Sequence, residues 1–219
     1  MTFPAKLLIV LCFVHVAAAR VPGQDDEDTQ SWNELQVSIP LAERVDLLLL
    51  STARVGRNIR SLVEGRIGGG LNFHLTRAMS FSPTYQHIET RDSAGRFRTE
   101  HRVSLRGTFK FPTKGFGLSH RSIIELRYRA AGNSWRYRPS VTFEKELPRH
   151  LLGQAKLFLT EEPFYVSTTK RFARNRFSVG VSKQINKHLT LDVYYLRQSD
   201  GFSHPGDLNV IGTSWKVVL

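Results

Sequence analysis

Arginine and glutamate recur at alternate positions along four stretches of this 219-residue chain: Glu100, Arg102 and Arg106; Arg121, Glu125, Arg127 and Arg129; Arg136, Arg138 and Glu144; Arg174 and Arg176. A spacing of two places such residues on one face of a strand. Guanidinium and carboxylate groups on facing strands can form bidentate ion pairs, and an excess of guanidinium over carboxylate is the chemistry that attracts anions.

A different chemistry would need a nucleophile and a base. His120 and Ser122 stand near Glu125, and His101 follows Glu100. Neither set reproduces a specific nucleophile motif, although such partners can converge from distant strands. The eight histidines are scattered, with no HExxH and no compact ligand cluster, so no metal or other cofactor is expected. The sequence therefore reads as that of a protein that is not an enzyme, with outer-membrane lipid hydrolysis as an alternative.

Strands must carry this charged ladder. In Trp135 to Glu144, Trp135, Tyr137, Pro139, Val141 and Phe143 share one parity, while Arg136, Arg138, Ser140, Thr142 and Glu144 share the other. The alternation outlasts the usual soluble strand of about 5–6 residues and matches the about 9–11 residues that a tilted strand needs to cross a bilayer. It recurs over Trp32–Ile39, Arg44–Arg54, Leu71–Met79, Tyr85–Arg91, Arg96–Phe111, Ser119–Arg129, Gly153–Glu162, Arg174–Gln184, His188–Gln198 and Leu208–Leu219. A helix competes over 41–53 because of the Leu47–Leu50 block, but the β-rich context favours a strand. Gly68, Gly69 and Gly70 read as a turn or as a close-packed bend within a strand. Pro83 and Pro112–Gly117 read as turns, Asp92–Gly95 as a polar loop, Pro163 as a strand break and Asn186–Lys187 as a tight turn.

About eleven strands are readable. The even number expected of a bacterial outer-membrane barrel raises the expectation to about twelve, one of them hidden in the first third, with ten as the alternative. Counting back from a periplasmic C-terminus makes 184–188 and 147–153 periplasmic, and 199–206 a longer external loop.

Lys6, the apolar run Leu7–Val16 and Ala17–Ala19 predict a signal peptide over 1–19, with cleavage before Arg20. The run is too short for a membrane helix. Cys12, the only cysteine, lies inside it, so the mature chain is expected to have neither a disulfide nor a thiol nucleophile. Residues 20–31, with Asp25–Asp28, read as a flexible acidic lead-in, and 32–219 as the barrel domain.

Hydrophobic residues at 41% exclude a simple disordered chain, and aromatics at 11% favour extended structure. A net charge of +12 ordinarily raises nucleic acid as a partner. Here the basic residues are spread over many strands with no zinc spacing or helix-turn-helix pattern, so nucleic acid is not expected.

The predicted fold is thus all-β, a closed antiparallel transmembrane β-barrel in the bacterial outer membrane, with the periplasm as the alternative location. Outer-membrane lipid and the outer-membrane assembly machinery are its expected partners, and the sequence leaves its oligomeric state open. The Arg/Glu ladder faces the lumen as an ion-pair network that holds the barrel together, or selects small polar or anionic solutes in a porin-like role. Trp32, Tyr128, Trp135, Tyr137, Tyr195 and Trp215 are candidates for aromatic girdles at the membrane boundaries. A periplasmic lipid-binding or structural barrel, with the apolar face inside, is the alternative architecture.

An ordered series carries a family resemblance. Glu100-His101-Arg102, the Arg121/Glu125/Arg127 strand, Arg136 and Arg138 before a strand ending at Pro148, Asn175-Arg176 followed by Phe177 and Gly180, and Tyr195 with Gln198 together resemble the bacterial family DUF2490 over roughly 31–219. The resemblance implies an exported outer-membrane β-barrel and brings no catalytic residues with it.

Overall fold

The computed structural model describes residues 27–92, 94–148, 150, 153–201, 203 and 206–219. The expected signal peptide, Cys12 and most of the acidic lead-in lie outside the described residues.

Among the described residues the chain forms eleven strands: β1 (Asp28–Ala42), β2 (Val45–Gly56), β3 (Ser61–His74), β4 (Met79–Arg91), β5 (Phe97–Phe111), β6 (Gly117–Arg129), β7 (Ser134–Glu146), β8 (Ala155–Val166), β9 (Arg171–Gln184), β10 (Leu189–Asp200) and β11 (Leu208–Val218). Each pairs antiparallel with its neighbour in sequence, and the sheet closes on itself where β1 meets β11. That last ladder, from Asp28↔Leu208 to Ser38↔Val218, is parallel.

Among the described residues the count is eleven, between the expected ten and twelve, and the expected all-antiparallel pairing is corrected to one with a parallel seam. Hairpins alone bring the last strand back antiparallel to the first only when the count is even. With an odd count the two strands run the same way, and a parallel ladder closes them equally well. Among the described residues the first strand starts at Asp28, ahead of the expected start at Trp32.

We call the mouth at which β1 begins the upper mouth. The described connecting residues 57–60, 92, 94–96, 130–133, 167–170, 201, 203 and 206–207 lie at it, while Leu219 and the described connecting residues 43–44, 75–78, 112–116, 147–148, 150, 153–154 and 185–188 lie at the lower mouth. A strand of 12 residues, such as β2, climbs about 30 Å when tilted by about 40°. Strands about 4.8 Å apart at that tilt close eleven-fold on a backbone radius of about 11 Å, so arginines from opposite walls can meet near the axis.

Alternation sorts the two faces. Leu35, Leu49, Ile67, Leu105, Ile124, Val141, Phe177, Val193 and Ile211 are exposed on the outside, whereas Thr52, Thr84, Ser104, Glu125 and Arg136 are buried inside. This inverts the arrangement of a soluble domain. The leucine block follows the same rule, with Leu48 buried and Leu49 exposed.

Two prolines read as turns or breaks prove to be strand-interior. Pro83 lies in β4, and Pro163 lies in β8 opposite Pro139 of β7. A proline has no N–H to give to a ladder, and the ladders show it. The β7–β8 pairing jumps from Tyr137↔Tyr165 to Val141↔Glu161, and the β3–β4 pairing from Gly70↔Thr84 to Phe73↔Phe81. Each strand keeps its other neighbour, which is why the chain continues through the proline. Gly68–Gly70 is accordingly a close-packed bend within β3.

The β2–β3 connection is strained. Arg57, Asn58 and Ile59 all have positive φ, at 55°, 55° and 60°, which is unfavourable for a β-branched residue. Buried Asp28 holds the turn, accepting from the backbone N–H groups of Arg57 at 3.0 Å and Asn58 at 2.7 Å. Ile59→Gly is expected to stabilise the refolded barrel by about 1 kcal/mol. Urea unfolding would show this, and a lower midpoint would contradict the strain.

Candidate functional site

The register of β5, β6 and β7 decides which charges meet. Glu125 lies directly across from Arg136 of β7 on one side and from Ser104 of β5 on the other. Glu125 is 2% exposed and accepts from Arg136 at 2.5 Å and Arg138 at 2.7 Å, with Arg102 at 3.6 Å. Glu100 accepts from Arg102 at 2.6 Å and Arg127 at 2.6 Å, and Arg129 stands 4.0 Å away. Glu162 accepts from Arg121 at 2.7 Å and Arg138 at 2.8 Å. Because Arg102 and Arg138 each bridge two carboxylates, these contacts make one continuous network of three glutamates and six arginines.

Further groups extend this layer around the wall. Glu64 pairs with Arg66 at 2.5 Å and Arg54 at 3.1 Å. Arg174 donates to Asp200 at 2.6 Å, and Arg176 donates to Gln198 at 2.8 Å. Two rings fill the gaps between the charges. Trp32 is stacked by Arg54, 3.6 Å from its centroid, and faces Arg176 at 4.7 Å; fully buried Phe164 is faced by Arg138 at 4.6 Å and Arg176 at 4.8 Å. Guanidiniums on ring faces gain cation–π attraction where water is excluded.

The layer sits in the upper half of the barrel. Below it a cavity of about 500 Å³ opens toward the lower mouth, its wall including Gln36, Leu50, Thr108, Ser119, Glu144, Ser182 and Lys216. The layer above it is packed, with Trp32, Arg102, Glu125, Phe164 and Gln198 each at most 2% exposed, so among the described residues the lumen has the form of a cup open at the lower mouth. Seven cations line the cup (Arg54, Arg66, Arg106, Arg121, Arg138, Arg176 and Lys216) against five carboxylates (Glu34, Glu125, Glu144, Glu162 and Asp192). Its size is that of a small-molecule pocket, and its charge balance suits an anion.

Of the residues singled out in the sequence, Glu100, Arg102, Arg121, Glu125, Arg127, Arg129, Arg136 and Arg138 lie in the network. Arg174 and Arg176 lie beside it, Arg106 faces the cup, and Glu144 stands near the lower mouth with Lys156 at 3.7 Å. Sequence reasoning missed Arg54, Glu64, Arg66 and Glu162. Glu64 and Arg66 carry the same i, i+2 signal but precede a glycine run, and Glu162 precedes Pro163.

Trp32 is the correction among the girdle candidates. It is 2% exposed and inside the barrel, donating its indole N–H to Gln30 at 2.8 Å. It shares its parity with Glu34 and Gln36, which already pointed inward. Tyr128, Trp135, Tyr195 and Trp215 are exposed on the outside, and Tyr137 is half-buried there. Near the upper mouth Trp135 stacks on Tyr165, which meets Phe172 edge-on; near the lower mouth Phe109 packs on Phe111 and Phe116 on Phe143.

The serine and histidine candidates are also on the outer face. His120 Nε2 is 2.9 Å from Ser122 Oγ, and Ser122 Oγ is 3.1 Å from the Tyr137 hydroxyl. No described carboxylate or carbonyl orients the other His120 nitrogen, so the set lacks the third member of a catalytic triad. It reads as three polar groups on an apolar face that satisfy one another. His101 accepts or donates at 2.7 Å to the Tyr85 hydroxyl and has no serine beside it. No group of three metal-ligating side chains occurs among the described residues.

A family model described as "Protein of unknown function (DUF2490)" matches residues 29–209. No curated protein matches the chain. Among solved structures it is similar to LpxR from Salmonella typhimurium, with a TM-score of 0.49 and 12% identity over 78% of this chain and 83% of that one. It is also similar to an anion-selective porin from Comamonas acidovorans, with a TM-score of 0.42 and 10% identity over 80% of this chain and 54% of that one. Likenesses this distant say nothing of activity.

Proposed function

Because this chain belongs to the DUF2490 family, whose description assigns no activity, its role has to be read from its own lumen, and we propose that it is an outer-membrane β-barrel that holds a small anionic solute in a one-ended cup. The exposed belt of Leu35, Leu49, Ile67, Leu105, Val141, Phe177 and Val193 supports lipid as its surroundings, since a closed barrel leaves no backbone group unpaired in hydrocarbon. Aromatic clusters toward both mouths are where interfacial girdles belong. In this reading the protein is bacterial, is exported by its leader, is inserted by the outer-membrane assembly machinery and is not an enzyme. With the C-terminus on the periplasmic side, the cup opens to the periplasm.

The observation that carries the reading is the Arg/Glu layer above a blind cavity, which favours retention of a solute over a porin-like passage. Purified protein inserted into planar bilayers is expected to give no ohmic current steps under varied salt and voltage. Discrete, reproducible steps would overturn the cup. Location has its own check: the chain should fractionate with outer membranes and run faster on gels unheated than boiled, and recovery in the soluble periplasm alone would reject the membrane setting.

A further inference from the structure

One inward arginine has no partner. Arg106 makes no hydrogen bond or ion pair with any described residue, and its Nε is covered yet unsatisfied; the Nε atoms of Arg121 and Arg138 are in the same state. The ladder explains how three cations come together. Arg106 lies across from Ile123, which lies across from Arg138, and Arg121 is the next inward residue below Ile123 on β6. Arg121 and Arg138 both repel Arg106. Glu162 attracts it, as does Glu34, but Glu162 is already engaged by Arg121 and Arg138.

Arg121 and Arg138 share Glu162, and the second carboxylate on Arg138, Glu125, is also engaged by Arg136 and Arg102, so bringing a third guanidinium here is unfavourable unless something neutralises it. Stability alone therefore gives no reason for Arg106, whereas a bound oxyanion does. Hydroxyls complete the surroundings, with Thr108 and Ser140 each directly across a ladder from Arg121. A tetrahedral dianion brings about twice the charge of a carboxylate and spreads its acceptor oxygens in three dimensions, so it offsets more of the charge of three converging cations.

We propose that Arg106, Arg121 and Arg138 bind a phosphate group in the cup, as inorganic phosphate or as the phosphomonoester end of a small solute entering by the lower mouth. This rests on the one-ended cup and names the anion it holds. Arg106 has no described partner on any of its nitrogens, Arg121 commits only one terminal nitrogen to Glu162, and each terminal nitrogen of Arg138 carries a second N–H beyond the one given to Glu125 or Glu162. Arg106 serves the ligand, and Arg121 and Arg138 serve both ligand and barrel.

The test is calorimetric titration of the refolded, detergent-solubilised full chain with inorganic phosphate, glucose 6-phosphate and dihexanoyl phosphatidic acid. Wild type is expected to bind phosphate saturably, and Arg106→Gln to weaken it about tenfold or more. The same variant without phosphate should melt no lower than wild type, because it removes a repelled charge, and phosphate should raise the melting midpoint of wild type only. Glucose 6-phosphate binding more tightly than the short-chain lipid identifies a soluble solute, and the reverse order identifies a lipid headgroup. No saturable binding to folded wild type, or undiminished binding by Arg106→Gln, overturns the site. Bilayer recordings separate the two ideas: a silent barrel that binds no phosphate loses the site and keeps the cup, and a conducting barrel that binds through Arg106 loses the cup and keeps the site.

Discussion

A Glu125→Gln barrel is expected to be about 3–5 kcal/mol less stable than wild type, the usual consequence of removing one partner from a buried ionic cluster. Glu125 is 2% exposed and is the carboxylate on which Arg136, Arg138 and Arg102 converge. Glutamine keeps the shape and removes the charge, so the loss would measure electrostatics and not a cavity. Arg138 still has Glu162, and Arg102 still has Glu100. No other described carboxylate pairs with Arg136, so Arg136 becomes the uncompensated charge. Adding Arg136→Gln should therefore recover part of the loss, and a double-mutant cycle by urea titration in detergent would quantify the coupling. A Glu125→Gln protein as stable as wild type would show that the layer does not hold the barrel together.

Gly70→Ala and Gly68→Ala are expected to abolish the folded, heat-modifiable gel band. A Cβ at Gly70 would stand 2.1 Å from the Pro83 carbonyl oxygen, and one at Gly68 would stand 2.0 Å from that of Tyr85. Both obstacles are backbone of β4, so no side-chain rotation relieves them, and overpacking against fixed atoms exceeds the usual penalty of about 1–3 kcal/mol. Gly65→Ala and Gly107→Ala are the controls, because a Cβ there meets nothing within 4 Å. Equal folding of all four variants would mean that β3 and β4 can separate freely at the bend beside Pro83.

These two sites also mark what was legible in the sequence. The parity of Glu125, Arg136 and Arg138 was readable because alternation is a local property, and charges on the apolar face would be heavily penalised. Which arginine meets which glutamate was not, since that depends on ladder register between strands. Pro83 and Pro163 were misread because a single sequence does not show that a proline can stop one ladder while its strand keeps the other. The direct strand count was close to the outcome, and the even-number rule moved it away. That rule presumes an antiparallel closure, which no local pattern reports. Arg106 was legible as inward, but its lack of a partner follows from the commitment of Glu162 to two other arginines, a three-dimensional fact. Trp32 shows the opposite failure: its residue type suggested a girdle while its parity with Glu34 had already placed it inside.

The parallel seam has a kinetic consequence. Every other ladder joins strands adjacent in sequence and can zip as a hairpin, but β1 finds β11 only across nearly the whole chain, as in the Thr213–Asn33 bond between residues 180 positions apart. Closing a loop of that size costs about 4–5 kcal/mol of chain entropy beyond a constant, and contacts of such sequence separation form slowly. At this seam lies a cluster of mutually packed buried apolar residues, Trp32 from β1 with Leu196, Leu208 and Val210 from β10 and β11. Burying each aliphatic member contributes about 1.5–3 kcal/mol, enough together to offset the closure entropy. The cluster is thus a latch. An open, ten-ladder sheet that has yet to engage Trp32 is the natural last intermediate of folding, and the apolar latch sets how long it persists.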